Sequence, residues 1–225
     1  MSERGRAPSA RVSERGRAPS ARASERGRAP SARASERGRL FVALDLDDDA
    51  RSALASWRDE IAAGESGLRP VADDALHVTL CFLGACALED LDAIAAACAV
   101  DAGGPVVGLM LGGAGLWLPR RRPRVLAAGI EDSAGALARV QGPLAEALSA
   151  GGWYRPETRP FLGHVTVARV TTGERPREVP APPSVALAAT ATVTIYRSHL
   201  SPRGARYEPV RAVRVDGGSQ GAIAP

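Results

Sequence analysis

The chain has no lysine and no asparagine, so all 29 of its basic residues are arginine, a bias typical of a very GC-rich genome. It has only three cysteines, Cys81, Cys86 and Cys98, an odd number lying in or beside apolar segments. Their spacing to histidine matches no zinc pattern, so we expect buried reduced thiols, no disulfide framework, no metal site and no cofactor. No apolar run reaches the length of about 18 residues needed to cross a bilayer. Residues 1–38 contain no apolar signal-peptide core, so the expectation is a soluble, intracellular, cytoplasmic protein that neither enters a membrane nor is secreted. Aromatic residues are scarce, three each of Trp, Tyr and Phe. Histidine is scarcer still, at positions 77, 164 and 199 alone.

Two of those histidines sit in matching tetrads, His77-Val78-Thr79-Leu80 and His164-Val165-Thr166-Val167. In a strand, residues i and i+2 share a face and lie about 6.6–6.8 Å apart. His77 then aims with Thr79, and His164 with Thr166, while the intervening valines and leucine pack into a core. A helix would set i and i+2 about 200° apart, and β-branched Val-Thr pairs disfavour it. Each tetrad therefore reads as a strand with one polar and one apolar face.

The 225 residues, 45% of them hydrophobic, suffice for one sizeable core. Three copies of an 11-residue unit, SERGRAPSAR followed by Val or Ala, occupy residues 2–34, and a fourth breaks off at Arg39. A period of 11 suits a right-handed supercoil. Here, though, each unit carries one Gly and one Pro and, apart from Ala and Val12, no apolar side chain, so residues 1–38 read as a disordered arm. Residues 1–39 carry a net +7 and the remainder a net −3, so the basic balance belongs to the arm. Such an arm can attract nucleic acid through counterion release. A slippage repeat without function is the favoured reading, since no aromatic side chain is present for base stacking.

Beyond it we expect one domain over 39–216 and a loose 217–225. Strands are expected near 40–46, 76–83, 105–111, 124–130, 161–170, 185–197 and 206–215, with helices near 48–63, 88–100 and 132–150. The order strand, helix, loop, motif strand occurs twice: His77 follows Phe41 by 36 residues and His164 follows Val125 by 39. A duplicated half-unit would set the two motif strands beside a pseudo-twofold axis, histidine facing histidine across a cleft. The fold class is α+β, two pseudo-symmetric lobes of antiparallel sheet backed by helices.

Two opposed imidazoles suit a reaction that removes a proton on one side of an atom and delivers one on the other. In-line displacement at phosphorus is such a reaction, and a histidine pKa near ~6.5 keeps both forms accessible. Each imidazole supplies roughly 10²–10⁴ in rate. The threonine hydroxyls would hydrogen-bond the non-bridging oxygens as charge develops there.

With these motifs the chain resembles the 2H phosphoesterase superfamily, and within it the RNA 2′,3′-cyclic phosphodiesterases once called 2′-5′ RNA ligases. The likeness extends through RLFVALDL at 39–46, LRPVADDALHVTLCFLG at 68–84, PRVLAAGI at 123–130, FLGHVTVARV at 161–170 and SHLSPRGARYEPV at 198–210. It implies hydrolysis of a 2′,3′-cyclic phosphate at an RNA end to a 2′-phosphomonoester, by a monomer whose partner is that RNA. It further implies His77 as proton donor, His164 as proton acceptor, and Thr79 and Thr166 as phosphate-binding residues. The same site run in reverse would join RNA ends. A different cyclic phosphate, such as a cyclic nucleotide or an ADP-ribose cyclic phosphate, and an RNA-end-binding module without turnover are the alternatives. Gly163 departs from the family, which usually has Pro before the second histidine, and is expected to loosen the start of that strand.

The remaining candidates are weaker. His199 lacks a motif and reads as a surface or edge-strand residue. Arg169, five residues after His164, falls on the opposite face under regular alternation and is left out of the site. Phe41 and Tyr207 read as core. Arg120, Arg121, Arg122 and Arg124 form a basic cluster that is either an RNA guide or a solvated loop. Gly217–Gly221 matches a G-x-S-x-G elbow but lacks a following helix and histidine.

Overall fold

Five consecutive buried residues, Leu40 to Leu44, mark a strand covered on both faces, and this strand lies in the middle of the sheet. The computed structural model describes residues 35–171, 179–201 and 204–216. In chain order the elements are β1 (Arg37–Asp45), α1 (Asp48–Ala63), β2 (Leu68–Pro70), β3 (His77–Ala87), α2 (Leu91–Cys98), β4 (Met110–Leu118) and β5 (Val125–Glu131). There follow α3 (Ala136–Ala150), β6 (His164–Val170), β7 (Val185–Ala186), β8 (Thr192–Ser201) and β9 (Gly204–Arg214). Asp47 caps α1 by accepting from the Ala50 N–H at 2.9 Å, and Asp48 and Asp49 complement the helix dipole in its first turn.

The strands form one antiparallel sheet in the order β7-β4-β5-β6-β3-β1-β8-β9, with β2 also paired to β6. Read outward from the centre, each half repeats the same parts. The motif strand (β3 or β6) lies beside the strand that leads into a helix (β1 or β5), and beyond it is a further strand (β8 or β4). The halves meet at Val78↔Val165, the valines of the two tetrads. The expected pseudo-twofold arrangement is present. It takes the form of a continuous sheet, with α1 packed on β6 and α3 packed on β3, so that each crossover helix covers the other half's motif strand. The buried side chains of both halves consequently join in one core.

Several boundaries differ from expectation. β1 begins at Arg37, with Arg37↔Ala87 and Gly38↔Cys86 in register, so residues 35–38 of the supposed disordered arm are instead tied into the domain. Gly38 is buried where a Cβ would stand 2.7 Å from Leu88 Cδ2, so the repeat's glycine fits the strand there. Residues 1–34 and 217–225, including the first three repeats and the G-x-S-x-G match, lie outside the described residues. The segment near 105–111 makes a bridge at Val106 before β4 proper starts at Met110, and the expected strand at 185–197 is split into β7 and β8.

Candidate active site

β2 and β3 both run antiparallel to β6, interrupted by a 3-10 turn at Asp73–Ala75. The Val71 N–H donates to the Val167 carbonyl at 2.8 Å, so the two strand pieces hold β6 while the turn bulges between them. Arg58, 6% exposed on α1, fixes this turn. It pairs with Asp73 at 2.7 Å and with Asp59 at 2.8 Å, and donates to the Val71 carbonyl. A buried guanidinium needs such partners, and the turn with the segment leading into it supplies two of the three.

The turn's product is a carbonyl. Ala75 O accepts from His77 Nδ1 at 2.8 Å, and Leu162 O accepts from His164 Nδ1 at the same distance. A carbonyl only accepts, so in both rings Nδ1 carries the hydrogen and Nε2 keeps its lone pair when the ring is neutral. The two sites thus share more than residue type: each histidine is oriented by the carbonyl two residues before it. His77 Nε2 also meets Thr79 Oγ1 at 2.9 Å, with the hydroxyl as donor when the ring is neutral.

The surroundings of the two rings differ. Phe41 stacks on His77 at 4.8 Å and 28°, and Tyr207 meets its edge at 5.2 Å. Tyr196 completes a triangle of rings, 5.2 Å from Phe41 and 6.1 Å from His77, with its hydroxyl donating to Asp45 at 2.5 Å. Burial among these rings lowers the His77 pKa. The Ala75 carbonyl and the Asp45 charge work against that, and a charge on His164 adds to it. Phe41 is core, as expected, and serves also as the floor beneath His77.

A cleft of about 470 Å³ opens over the sheet, and His77, Thr79 and Thr166 line it. His164 stands beside the cavity and is partly buried at the start of β6, two residues before Thr166. Arg169 also lines the cleft, contrary to expectation. The reason is a β-bulge: Ala127 faces Thr166 while the next residue back, Leu126, faces Ala168, so Val167 is an extra residue. Val167 and Ala168 are both fully buried, and the phase of β6 reverses at that point. β3 carries the same device, with Leu80 extra between Thr79 and Cys81 and both buried. Phe82 is therefore the counterpart of Arg169, half exposed in the cleft beneath the Arg39 guanidinium at 5.2 Å. A trace of this existed in the sequence, since HVTLCF and HVTVAR each place two apolar residues after the threonine.

His199 is on β8, where Nε2 pairs with Glu208 of β9 at 2.7 Å, a strand-surface residue as expected. The three cysteines are free and buried, and burial pushes the Cys81 and Cys98 thiols up to about 12. Among the described residues no group of three or more His, Cys, Asp or Glu is placed to hold a metal ion, and no helix is long and apolar enough to cross a membrane.

The model of the family described as LigT like phosphoesterase matches residues 44–127. The RNA 2′,3′-cyclic phosphodiesterase of Escherichia coli is 32% identical over 172 residues, covering 76% of this chain and 93% of that protein. The chain belongs to the LigT-like family of 2H phosphoesterases. A further relative, the RNA 2′,3′-cyclic phosphodiesterase of Archaeoglobus fulgidus, is 33% identical over 58% of this chain and 72% of its own length. The apo crystal structure of E. coli LigT superposes with a TM-score of 0.66 at 28% identity, over 80% of this chain and 99% of LigT. LigT has also been solved with 3′-AMP and with phosphate.

Proposed function

We propose that this LigT-like phosphoesterase hydrolyses the 2′,3′-cyclic phosphate at an RNA end to a 2′-phosphomonoester. The observation that carries the reading is the duplicated histidine: two rings on meeting strands, each with Nδ1 held by a carbonyl and Nε2 left for chemistry. His164 Nε2 takes a proton from water, whose oxygen attacks phosphorus as the bond to the 3′ oxygen breaks. His77 Nε2–H delivers a proton to that leaving oxygen. Thr79 and Thr166 hydrogen-bond the non-bridging oxygens, and Arg169 balances the growing charge. The half-exposed Phe82 and the exposed Leu200 offer the terminal base an apolar surface. That LigT has been solved with phosphate and with 3′-AMP supports a phosphate-bearing nucleotide as the ligand.

The donor role asks something specific of His77. In the empty site its burial favours the neutral ring, whereas a proton donor must be charged. An anionic phosphodiester in the cleft reverses the balance, so substrate brings its own acid into the right state. The ring then exchanges Thr79 for the leaving oxygen, which frees the threonine hydroxyl to donate to the phosphate. No step calls for a metal or a cofactor. In this reading the enzyme works as a monomer in the cytoplasm, a compartment consistent with three free buried thiols.

The test is turnover of a short RNA ending in a 2′,3′-cyclic phosphate, in EDTA, by the intact chain, His77→Ala and His164→Ala. Formation of a 2′-phosphate that falls at least about 10²-fold in each folded variant is the expected result. A folded protein without turnover, or variants as active as the parent, would overturn it. Light scattering checks the monomer.

A further inference from the structure

The β4–β5 hairpin carries Arg120, Arg121, Arg122 and Arg124, all exposed. Its basic character is not a by-product of composition, because the chain after Arg39 has a net charge of −3. Nor is it a network of ion pairs. Arg58, Arg159, Arg197, Arg211 and Arg214 each pair with a carboxylate, whereas among the described residues none of the four hairpin arginines does. Unpaired like charges crowded on a short turn repel one another, an arrangement that an anion relieves.

The sheet register joins this turn to the active site. Leu118, the last residue of β4, pairs with Val125, Val125 pairs with Arg169, and Arg169 pairs with Arg69. Direct cross-strand partners share a face, so this row runs along the cleft side of the sheet from Arg69 to the root of the hairpin. The Val170 N–H donates to the Arg124 carbonyl at 2.8 Å, which locks the base of the turn against the end of β6. Arg69 and Arg169 both line the cleft and are direct cross-strand partners, so two guanidinium groups are presented side by side there. From Arg124 to Arg121 the chain extends the positive surface by roughly 10 Å at most.

We propose that the arginine hairpin and the Arg69–Arg169 pair form one phosphate track for the RNA strand leading up to the reacting end. This rests on the cyclic phosphodiesterase reading: the cyclic phosphate occupies the cleft, and the nucleotides 5′ to it run over β6 and β5 toward residues 120–122. The contacts are to phosphates, so the track raises affinity for longer RNA without selecting sequence.

The experiment compares the full chain with an Arg120→Gln/Arg121→Gln/Arg122→Gln variant on two substrates, a 2′,3′-cyclic mononucleotide and an oligoribonucleotide with the same cyclic end, from low to moderate salt. For the mononucleotide, kcat and KM should be unchanged, since these residues lie outside the cleft. For the oligonucleotide, KM should rise roughly tenfold at low salt, and the slope of log(kcat/KM) against log[salt] should flatten by about 2, at ~0.7 per lost contact on a single strand. An Arg→Lys triple variant keeps the charge and should retain the parental slope. The Arg-rich arm contributes equally to every protein compared, so the difference reports the hairpin alone. Equal oligonucleotide KM and slope in parent and Gln variant, with both substrates turned over, would overturn the track while leaving the enzymatic reading intact. Failure of the parent on both substrates would overturn the enzymatic reading, and the track with it.

Discussion

Replacing Gly163 with alanine tests how the second motif strand is held. Gly163 precedes His164, and its φ lies outside the left-handed region, so alanine meets no backbone strain there. Space is the obstacle: an added Cβ would stand 2.5 Å from Leu137 Cδ1 and 3.4 Å from Ile130 Cβ. Leu137 lies on α3 at 3% exposure, within the core, so its methyl must retreat by about 1 Å where there is little room. Overpacking of this kind costs about 1–3 kcal/mol, offset by ~0.4–1 kcal/mol from the stiffer unfolded chain. The net expectation is a loss of roughly 0.5–2 kcal/mol, or a fall in urea midpoint of about 0.3–1 M at a typical m-value near 2 kcal/mol/M. Leu137→Val removes the clashing methyl, so Gly163→Ala should be less harmful in that background, with a coupling of about 1 kcal/mol in the double-mutant cycle. The Ile130 N–H donates to the Gly163 carbonyl at 3.1 Å and Gly129 faces His164, so a displaced Gly163 also displaces the ring. A misplacement approaching 1 Å lowers kcat by up to about 10²-fold. A Gly163→Ala protein at least as stable as the parent, with additive energies in the cycle, would refute this account. The same geometry answers the expectation that glycine loosens this strand: Leu137 fills the space that a proline ring would need.

Arg169→Met should lower kcat/KM for the cyclic phosphate about 10- to 100-fold, the worth of one charge-assisted contact, with little change in melting temperature; unchanged kinetics would remove Arg169 from the site. Arg58→Met should reduce kcat more than it raises KM, because the lost anchor acts through the Asp73–Ala75 turn on His77, and steady-state kinetics separate the two. The depressed His77 pKa means the unfolded chain binds more protons than the folded one below about pH 6.5. Folding stability should therefore fall as pH drops from ~6.5 toward the lower folded value, at no more than about 1.4 kcal/mol per pH unit from this group, and His77→Gln should remove that component in urea titrations between pH 5 and 8. Native protein should react with a thiol reagent at none of its three cysteines until it is unfolded, given their burial.

Strand periodicity and duplication were local properties, and the sequence alone carried them. Alternation in the two tetrads placed His77 with Thr79 and His164 with Thr166, and the repeated strand-helix-strand order implied halves related by a pseudo-twofold axis, which the sheet order bears out. His199 was legible as a surface residue because nothing around it repeated. The rest depended on long-range register. Arg169 reached the cleft only through the bulge at Val167, and a bulge is defined by the partner strand, not by the strand that contains it. The orienting carbonyl of Ala75 belongs to a turn anchored by Arg58 on a distant helix, and that of Leu162 to the irregular segment leading into β6. The aromatic cluster that sets His77 apart from His164 joins Phe41, Tyr196 and Tyr207 from three strands, so two nearly identical tetrads acquire different environments. Residue pattern thus determined which groups are chemically capable. Tertiary structure decided which of them meet, because a side chain's face is local until a bulge or a crossover makes it a property of the whole sheet.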